Sequence, residues 1–129
     1  MSKGKILVID DEDIVLRCCQ RILTPEGYDV DISKNGMDGL KLLKDKAFDL
    51  VLVDIKMPEM DGMEVLKQIK KKWSDTQVII ITGYSTLESA IFAMKLGAYD
   101  YVEKPFTPDG LTSAVKKAFD EEMGEQKEK

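Results

Sequence analysis

Five short apolar runs, each followed by a stretch of helical periodicity, restrict what this chain can become. They are Lys5 to Ile9, Tyr28 to Ile32, Leu50 to Val53, Gln77 to Ile81 and Tyr99 to Glu103. Most are too short for helices and lack polar alternation, so they read as strands buried on both faces. Tyr28 to Ile32 alternates and belongs nearer an edge. Helices are predicted between them. The first runs from about Glu12 to Leu23 and is stopped by Thr24-Pro25-Glu26-Gly27. Asn35-Gly36-Met37-Asp38 opens the second, with Leu40, Leu43 and Ala47 on one side. Asp61 and Glu64 have capping-box spacing and start the third, with Leu66, Ile69 and Trp73 as its apolar face. Ser85 and Glu88 have the same spacing before a helix that ends at Leu96 and Gly97. Thr107-Pro108 starts the last, whose stripe is Leu111, Ala114, Val115, Ala118 and Phe119. The charged stretch from Asp120 to Lys129 is expected to fray.

Strands alternating with helices build a parallel sheet covered on both faces. Five units predict an α/β chain: a flavodoxin-like (βα)5, doubly wound, five-stranded parallel sheet of order 2-1-3-4-5. The crevice of such a sheet opens where the winding reverses, between the first and third strands. Asp10-Asp11 ends the first strand and Asp54 ends the third, so they should meet there. Thr82 ends the fourth strand and Lys104 the fifth, which extends the rim.

The chain of 129 residues suits one domain. Its net charge is −5 with no basic cluster, which argues against nucleic-acid or membrane-surface binding. It has no histidine, so histidine acid–base chemistry and histidine metal ligands are excluded. Cys18 and Cys19 are adjacent and do not form an ordinary bridge. Both flank apolar positions (Ile14, Cys18, Ile22 and Val15, Cys19, Leu23) and read as small core residues. Met1 to Lys5 leads into a strand without a signal peptide, no run approaches a membrane span, and a reducing cytoplasm is expected.

Carboxylates crowded at one crevice repel each other, and burial worsens the repulsion. A cation would hold them together. Oxygen ligands without His or Cys suit Mg²⁺ or Mn²⁺. Lys104 adds a positive charge and Thr82 a hydroxyl, so the rim is a place for a phosphoryl group. A carboxylate can act as nucleophile and form an acyl phosphate, and Asp54 is the most central.

The chain resembles the receiver (CheY-like) domain of bacterial two-component response regulators. The resemblance rests on Ile6 to Glu12, Asp49 to Gly62, Ile81 to Tyr84 and Gly97 to Phe106, in that order and strand context. It implies that Asp54 accepts a phosphoryl group from a histidine kinase or histidine phosphotransfer protein. It implies that Asp11 and Asp54 ligate Mg²⁺ directly, that Asp10 assists through water, and that the Lys56 backbone carbonyl completes the set. Lys104 would pair with phosphoryl oxygens. Thr82 would move to bond the phosphoryl group and Tyr101 would rotate inward, changing the face of the fourth helix, fifth strand and fifth helix. That face would control a downstream effector protein or domain and carry a phosphorylation-dependent homodimer. The Lys104–Pro105 bond would be cis. Tyr99 and Tyr101 are expected on one side of their strand, Tyr99 as a core aromatic and Tyr101 as the switch. The receiver would span 1–122, with 123–129 a charged tail or start of a linker. The stretches 82–86 and 93–101 resemble receivers attached to AAA+ transcription activators.

Two other functions are less compatible with these residues. A Mg²⁺-dependent aspartyl-phosphate phosphohydrolase would want an acid two residues after Asp54, where Lys56 stands. A flavodoxin-like FMN carrier would want a small polar loop after the first strand, where Asp10 to Asp13 would repel a phosphate. Signalling, without turnover of a small substrate, is the favoured reading.

Overall fold

The computed structural model describes residues 2–83 and 86–128, with side chains through Asp120. The elements are β1 (Lys5–Ile9), α1 (Asp13–Leu23), a 3₁₀ turn (Thr24–Glu26), β2 (Asp29–Ser33), α2 (Gly36–Asp45) and β3 (Leu50–Val53). They continue as α3 (Gly62–Lys72), β4 (Gln77–Thr82), α4 (Leu87–Lys95), β5 (Asp100–Glu103) and α5 (Pro108–Glu128). The strands form one parallel sheet in the order β2-β1-β3-β4-β5, as the alternation predicts.

Alternate residues of the central strands feed two cores. Ile6, Val8, Leu50, Leu52, Ile79 and Ile81 pack with Leu16, Cys19 and Leu23 of α1 and Leu111, Val115 and Ala118 of α5. Leu7, Ile9, Val51, Val53, Val78 and Ile80 pack with Leu40 and Leu43 of α2, Leu66 and Ile69 of α3, and Ala93 of α4. Both faces are therefore apolar, which explains why β3 reads as an unbroken Leu-Val-Leu-Val.

The helix starts follow local chemistry. Asn35 caps α2, its side chain accepting from the Asp38 amide at 2.8 Å. Asp61 caps α3, accepting from the Glu64 amide at 3.0 Å, while the Glu64 carboxylate accepts from Gln68. The Thr107 hydroxyl accepts from the Gly110 amide at the start of α5. Gly62 is required where α3 meets the end of β3. A Cβ there would lie 2.1 Å from the Asp54 carbonyl oxygen, and the Gly62 amide donates to the Ile55 carbonyl at 2.8 Å. Before it, Glu59 takes φ +70° in a tight turn closed by Met60 N–H to the Pro58 carbonyl.

Several local expectations change. Ala47 lies beyond α2 and is exposed, because α2 ends at Asp45. Trp73 is half-buried at the C-cap of α3 rather than within its stripe. Cys18 is exposed; only Cys19 is buried. The Ile14, Cys18, Ile22 row is the outer flank of α1, and Ile14 is itself exposed. Thr86 and Ser89 form the capping box of α4, one residue along from the Ser85 and Glu88 pair; Ser85 lies outside the described residues. The backbone of α5 stays helical to Glu128, through the stretch expected to fray. Tyr99 and Tyr101 face opposite layers. Tyr99 precedes β5 and packs with the α1/α5 core, while Tyr101 joins the other. Among the described residues no helix is long and apolar enough to cross a membrane.

Two outcomes follow from this packing. Gly62→Ala should cost about 1–3 kcal/mol through overpacking against the β3 exit, read as a lower urea midpoint. Burial pushes the Cys19 thiol up to about 12, aided by the nearby Cys18 and Asp10. Iodoacetamide at pH 8 should therefore label Cys18 alone in the folded protein, and both cysteines after unfolding, as counted by mass spectrometry.

Candidate functional site

The sheet register sets the site. Ile9 pairs with Val53, and Val53 with Ile80. The ladder continues one step beyond: the Asp54 amide donates to the Ile9 carbonyl at 3.0 Å and the Asp10 amide to the Ser33 carbonyl at 3.1 Å. The Lys104 amide donates to the Thr82 carbonyl at 2.8 Å on the far side. Four neighbouring strands, β1, β3, β4 and β5, thus release their side chains at one level, at the carboxyl edge of the sheet where the winding reverses.

There the chain forms a cleft of about 420 Å³ lined by Asp11, Glu12, Asp54, Lys56, Thr82, Gly83 and Lys104. Asp10 and Thr82 are fully buried and Asp54 is 5% exposed. Asp11 and Lys56 are exposed at the mouth. Lys104 sits among the acids, its Nζ 2.8 Å from Asp10 Oδ2, 3.0 Å from Glu12 Oε1 and 3.3 Å from Asp54 Oδ2. The Glu12 amide also donates to Asp10 Oδ1 at 2.9 Å. The Lys104–Pro105 peptide is cis, as the resemblance implies. Tyr101 does not line the cleft; its hydroxyl lies 2.9 Å from Ser89 Oγ on α4.

The other oxygen of Asp54, Oδ1, is buried and accepts no hydrogen bond from the described residues. An unpartnered buried carboxylate oxygen is costly. Oxygens of Asp10, Glu12 and Asp54 lie within 4.8 Å of one another, burdened by mutual repulsion that a single ammonium only partly offsets. This all-oxygen donor set and its orphaned oxygen fit a hard divalent cation such as Mg²⁺ or Mn²⁺. Asp11 lies at the same cleft but outside that group of three. Glu12, for which sequence reasoning assigns no role, takes part here through its bond from Lys104. It stands one residue before α1, so its carboxylate can turn back to Lys104.

The electrostatics are opposed and coupled. Burial raises the Asp10 pKa above its ordinary 3.8, outweighing the hydrogen bonds from Lys104 and the Glu12 amide; the Asp54 charge raises it further. For Lys104, burial lowers the pKa, but hydrogen bonds to Asp10 and Glu12 and the charges of Asp10 and Asp54 outweigh it and hold it well above the ordinary lysine value. Folded Asp10 keeps its proton at a pH where the unfolded chain has released it. Its contribution to stability is present below pH 3.8 and is lost as pH rises through the folded pKa, so ionised Asp10 is a net cost at neutral pH. Asp10→Asn in metal-free buffer should therefore raise the urea midpoint at pH 7, and this gain should vanish below the ordinary aspartate pKa.

Comparison with known proteins agrees with this geometry. The family model for the response regulator receiver domain matches residues 6–116. The chain is 41% identical over 115 residues to the regulatory protein AtoC of Escherichia coli, covering 89% of this chain and 25% of that protein. It is 41% identical over 120 residues to the transcriptional regulatory protein ZraR of Salmonella typhimurium, covering 92% of this chain and 27% of the relative. It spans about a quarter of the length of these relatives. Among solved structures, the CheY-like receiver domain protein of Methanospirillum hungatei superposes with a TM-score of 0.92 at 36% identity, covering 96% of this chain and 99% of that one. NtrX of Brucella abortus gives 0.91 at 32% identity, covering 98% of this chain and 29% of NtrX. A chain with this sheet order, this acidic cleft and this match belongs to the response regulator receiver domain family, the signalling domain of two-component systems.

Proposed function

We propose that this chain is a phosphorylatable receiver. Asp54 accepts a phosphoryl group from a phosphohistidine on a histidine kinase or histidine phosphotransfer protein, and the domain then controls a downstream effector. The observation that carries this reading is Asp54 Oδ1: buried, without a partner among the described residues, and in a cleft shared with Lys104 and Thr82. A carboxylate oxygen of Asp54 attacks phosphorus. The new P–O bond forms as the P–N bond to the donor imidazole breaks, leaving an acyl phosphate on Asp54 and the electron pair on the imidazole. Lys104 exchanges its carboxylate contacts for a phosphoryl oxygen, and the Thr82 hydroxyl donates to another. Asp11, Asp54 and the Lys56 carbonyl would hold Mg²⁺ directly, Asp10 would assist through water, and Glu12 stands beside them. When bound, the cation neutralises the carboxylates and the incoming phosphoryl oxygens, so that both can share the cleft.

The added charge biases a two-state equilibrium. Thr82 turns toward the phosphoryl group, Tyr101 moves in behind it, and the face of α4, β5 and α5 changes. Dimerisation through that face would be one readout. The relatives are about four times longer than the matched region, which supports an effector domain joined to a receiver of 1–122, with 123–129 a charged tail or the start of a linker. The setting is the cytoplasm. Lys56, two residues after Asp54, supplies a cation where a phosphohydrolase would use an acid, so the domain catalyses its own phosphotransfer and dephosphorylation rather than turnover of a small substrate.

Intact-mass spectrometry after incubation with acetyl phosphate tests the core of this reading. One phosphoryl adduct is expected with Mg²⁺, none with EDTA and none for Asp54→Asn. A Mg²⁺-independent adduct, or one that persists in Asp54→Asn, would overturn it. Lys104→Met should slow adduct formation about a hundredfold, the cost of removing one donor to a developing charge. Sedimentation before and after phosphorylation checks dimerisation, and unchanged mass would count against it.

A further inference from the structure

α4 is weakly embedded. Of its nine residues only Ala93 is buried, while Leu87, Ile91, Phe92 and Met94 are exposed. A helix this short with so small an apolar anchor depends on how its first turn is held. That turn is a capping box: Thr86 Oγ1 accepts from the Ser89 amide at 3.0 Å, and Ser89 Oγ accepts from the Thr86 amide at 3.3 Å. Serine fills the position where glutamate or glutamine usually closes the box. Its short side chain keeps the oxygen near the backbone and also within reach of β5. Ser89 Oγ lies 2.9 Å from the Tyr101 hydroxyl, 3.1 Å from the Thr86 carbonyl and 3.0 Å from Thr86 Oγ1. A hydroxyl offers one proton and two lone pairs. Four neighbours therefore compete for three places, and Tyr101 holds one of them.

We propose that Ser89 is the positioning residue for Tyr101: its hydroxyl holds the tyrosine against the first turn of α4, so that inward movement of Tyr101 returns a bonding place to the cap and resets the start of the helix. The contact lies between two parts of the site. Thr82, at the floor of the cleft, ends β4 four residues before Thr86, and Tyr101 lies on the neighbouring β5, opposite Ile80, two residues before Thr82. One serine thus joins the strand that carries Tyr101 to the helix whose exposed apolar face is free to respond. The signalling meaning of the contact rests on the receiver reading above; the contact itself does not.

The test uses the whole chain without a phosphoryl group. Amide hydrogen exchange is read at Ala90, whose N–H donates to the Thr86 carbonyl, and the Tyr101 ring resonances are assigned by their loss in Tyr101→Phe. Ser89→Ala should speed Ala90 exchange about tenfold, as loss of a helix cap does, and should shift the Tyr101 ring signal. Ser89→Thr keeps the hydroxyl and should restore the wild-type signal. In a Tyr101→Phe background, Ser89→Ala should have a distinctly smaller effect on exchange, the signature of coupled groups. If Ser89→Ala acts equally in both backgrounds and leaves the ring signal unmoved, Ser89 is only a cap and the proposal fails. With acetyl phosphate and Mg²⁺, the wild-type Tyr101 signal should move toward its position in Ser89→Ala, and a shift the other way would also overturn it. Absence of any adduct on Asp54 would instead refute the receiver reading, while the exchange and ring measurements would still decide the contact.

Discussion

One ammonium group holds the site together. Lys104 reaches Asp10, Glu12 and Asp54 at once, from the end of a strand that is separated from β1 by β3 and β4. Without it, β1 and β3 would deliver their acids to one crevice with nothing to offset the repulsion. A lysine suits the task because its charge is compact and its three donors can serve three oxygens. The same feature makes the arrangement provisional. The ammonium is shared among carboxylates, one of them on an exposed and mobile side-chain type, so a stronger anion can draw it away.

The sheet supplies the precision that this ion cluster needs. Because β1, β3 and β4 are buried on both faces, slipping any of them by one residue would exchange its contributions between the two cores. The register is fixed for reasons of packing, and the placement of Asp10, Asp54 and Thr82 follows from it. A functional constellation is thereby positioned by residues such as Leu52 and Ile80 that never approach the cleft.

This is why so much was legible in the sequence. Residues at strand ends (Asp10, Asp54, Thr82, Lys104) are placed by strand order alone, and strand order follows from the alternation. Residues placed by loops were harder. Glu12 turns back toward Lys104 only because α1 begins at Asp13. Ser85 with Glu88 has the usual capping-box pattern, whereas the box that forms pairs Thr86 with Ser89, a serine where that pattern asks for an acid or an amide. The shared side expected for Tyr99 and Tyr101 assumed strand geometry at Tyr99, which lies before the strand begins. Cys18 and Cys19 follow adjacent rows of one helix, and which row faces inward depends on how α1 docks on the sheet rather than on the row itself.

The close approach of α3 to the end of β3 has a mechanical consequence. With no side chain at Gly62, the helix start presses against the backbone of Asp54 and takes a hydrogen bond to Ile55. Asp54, the acceptor in the function proposed above, is braced from behind. A bulky, charged group added to its carboxylate would have no room to be absorbed by retreat of the main chain. The displacement would be passed forward instead, toward the hydroxyl and ammonium groups that face it, so that a rigid anvil at β3 would make the opposite rim the moving part.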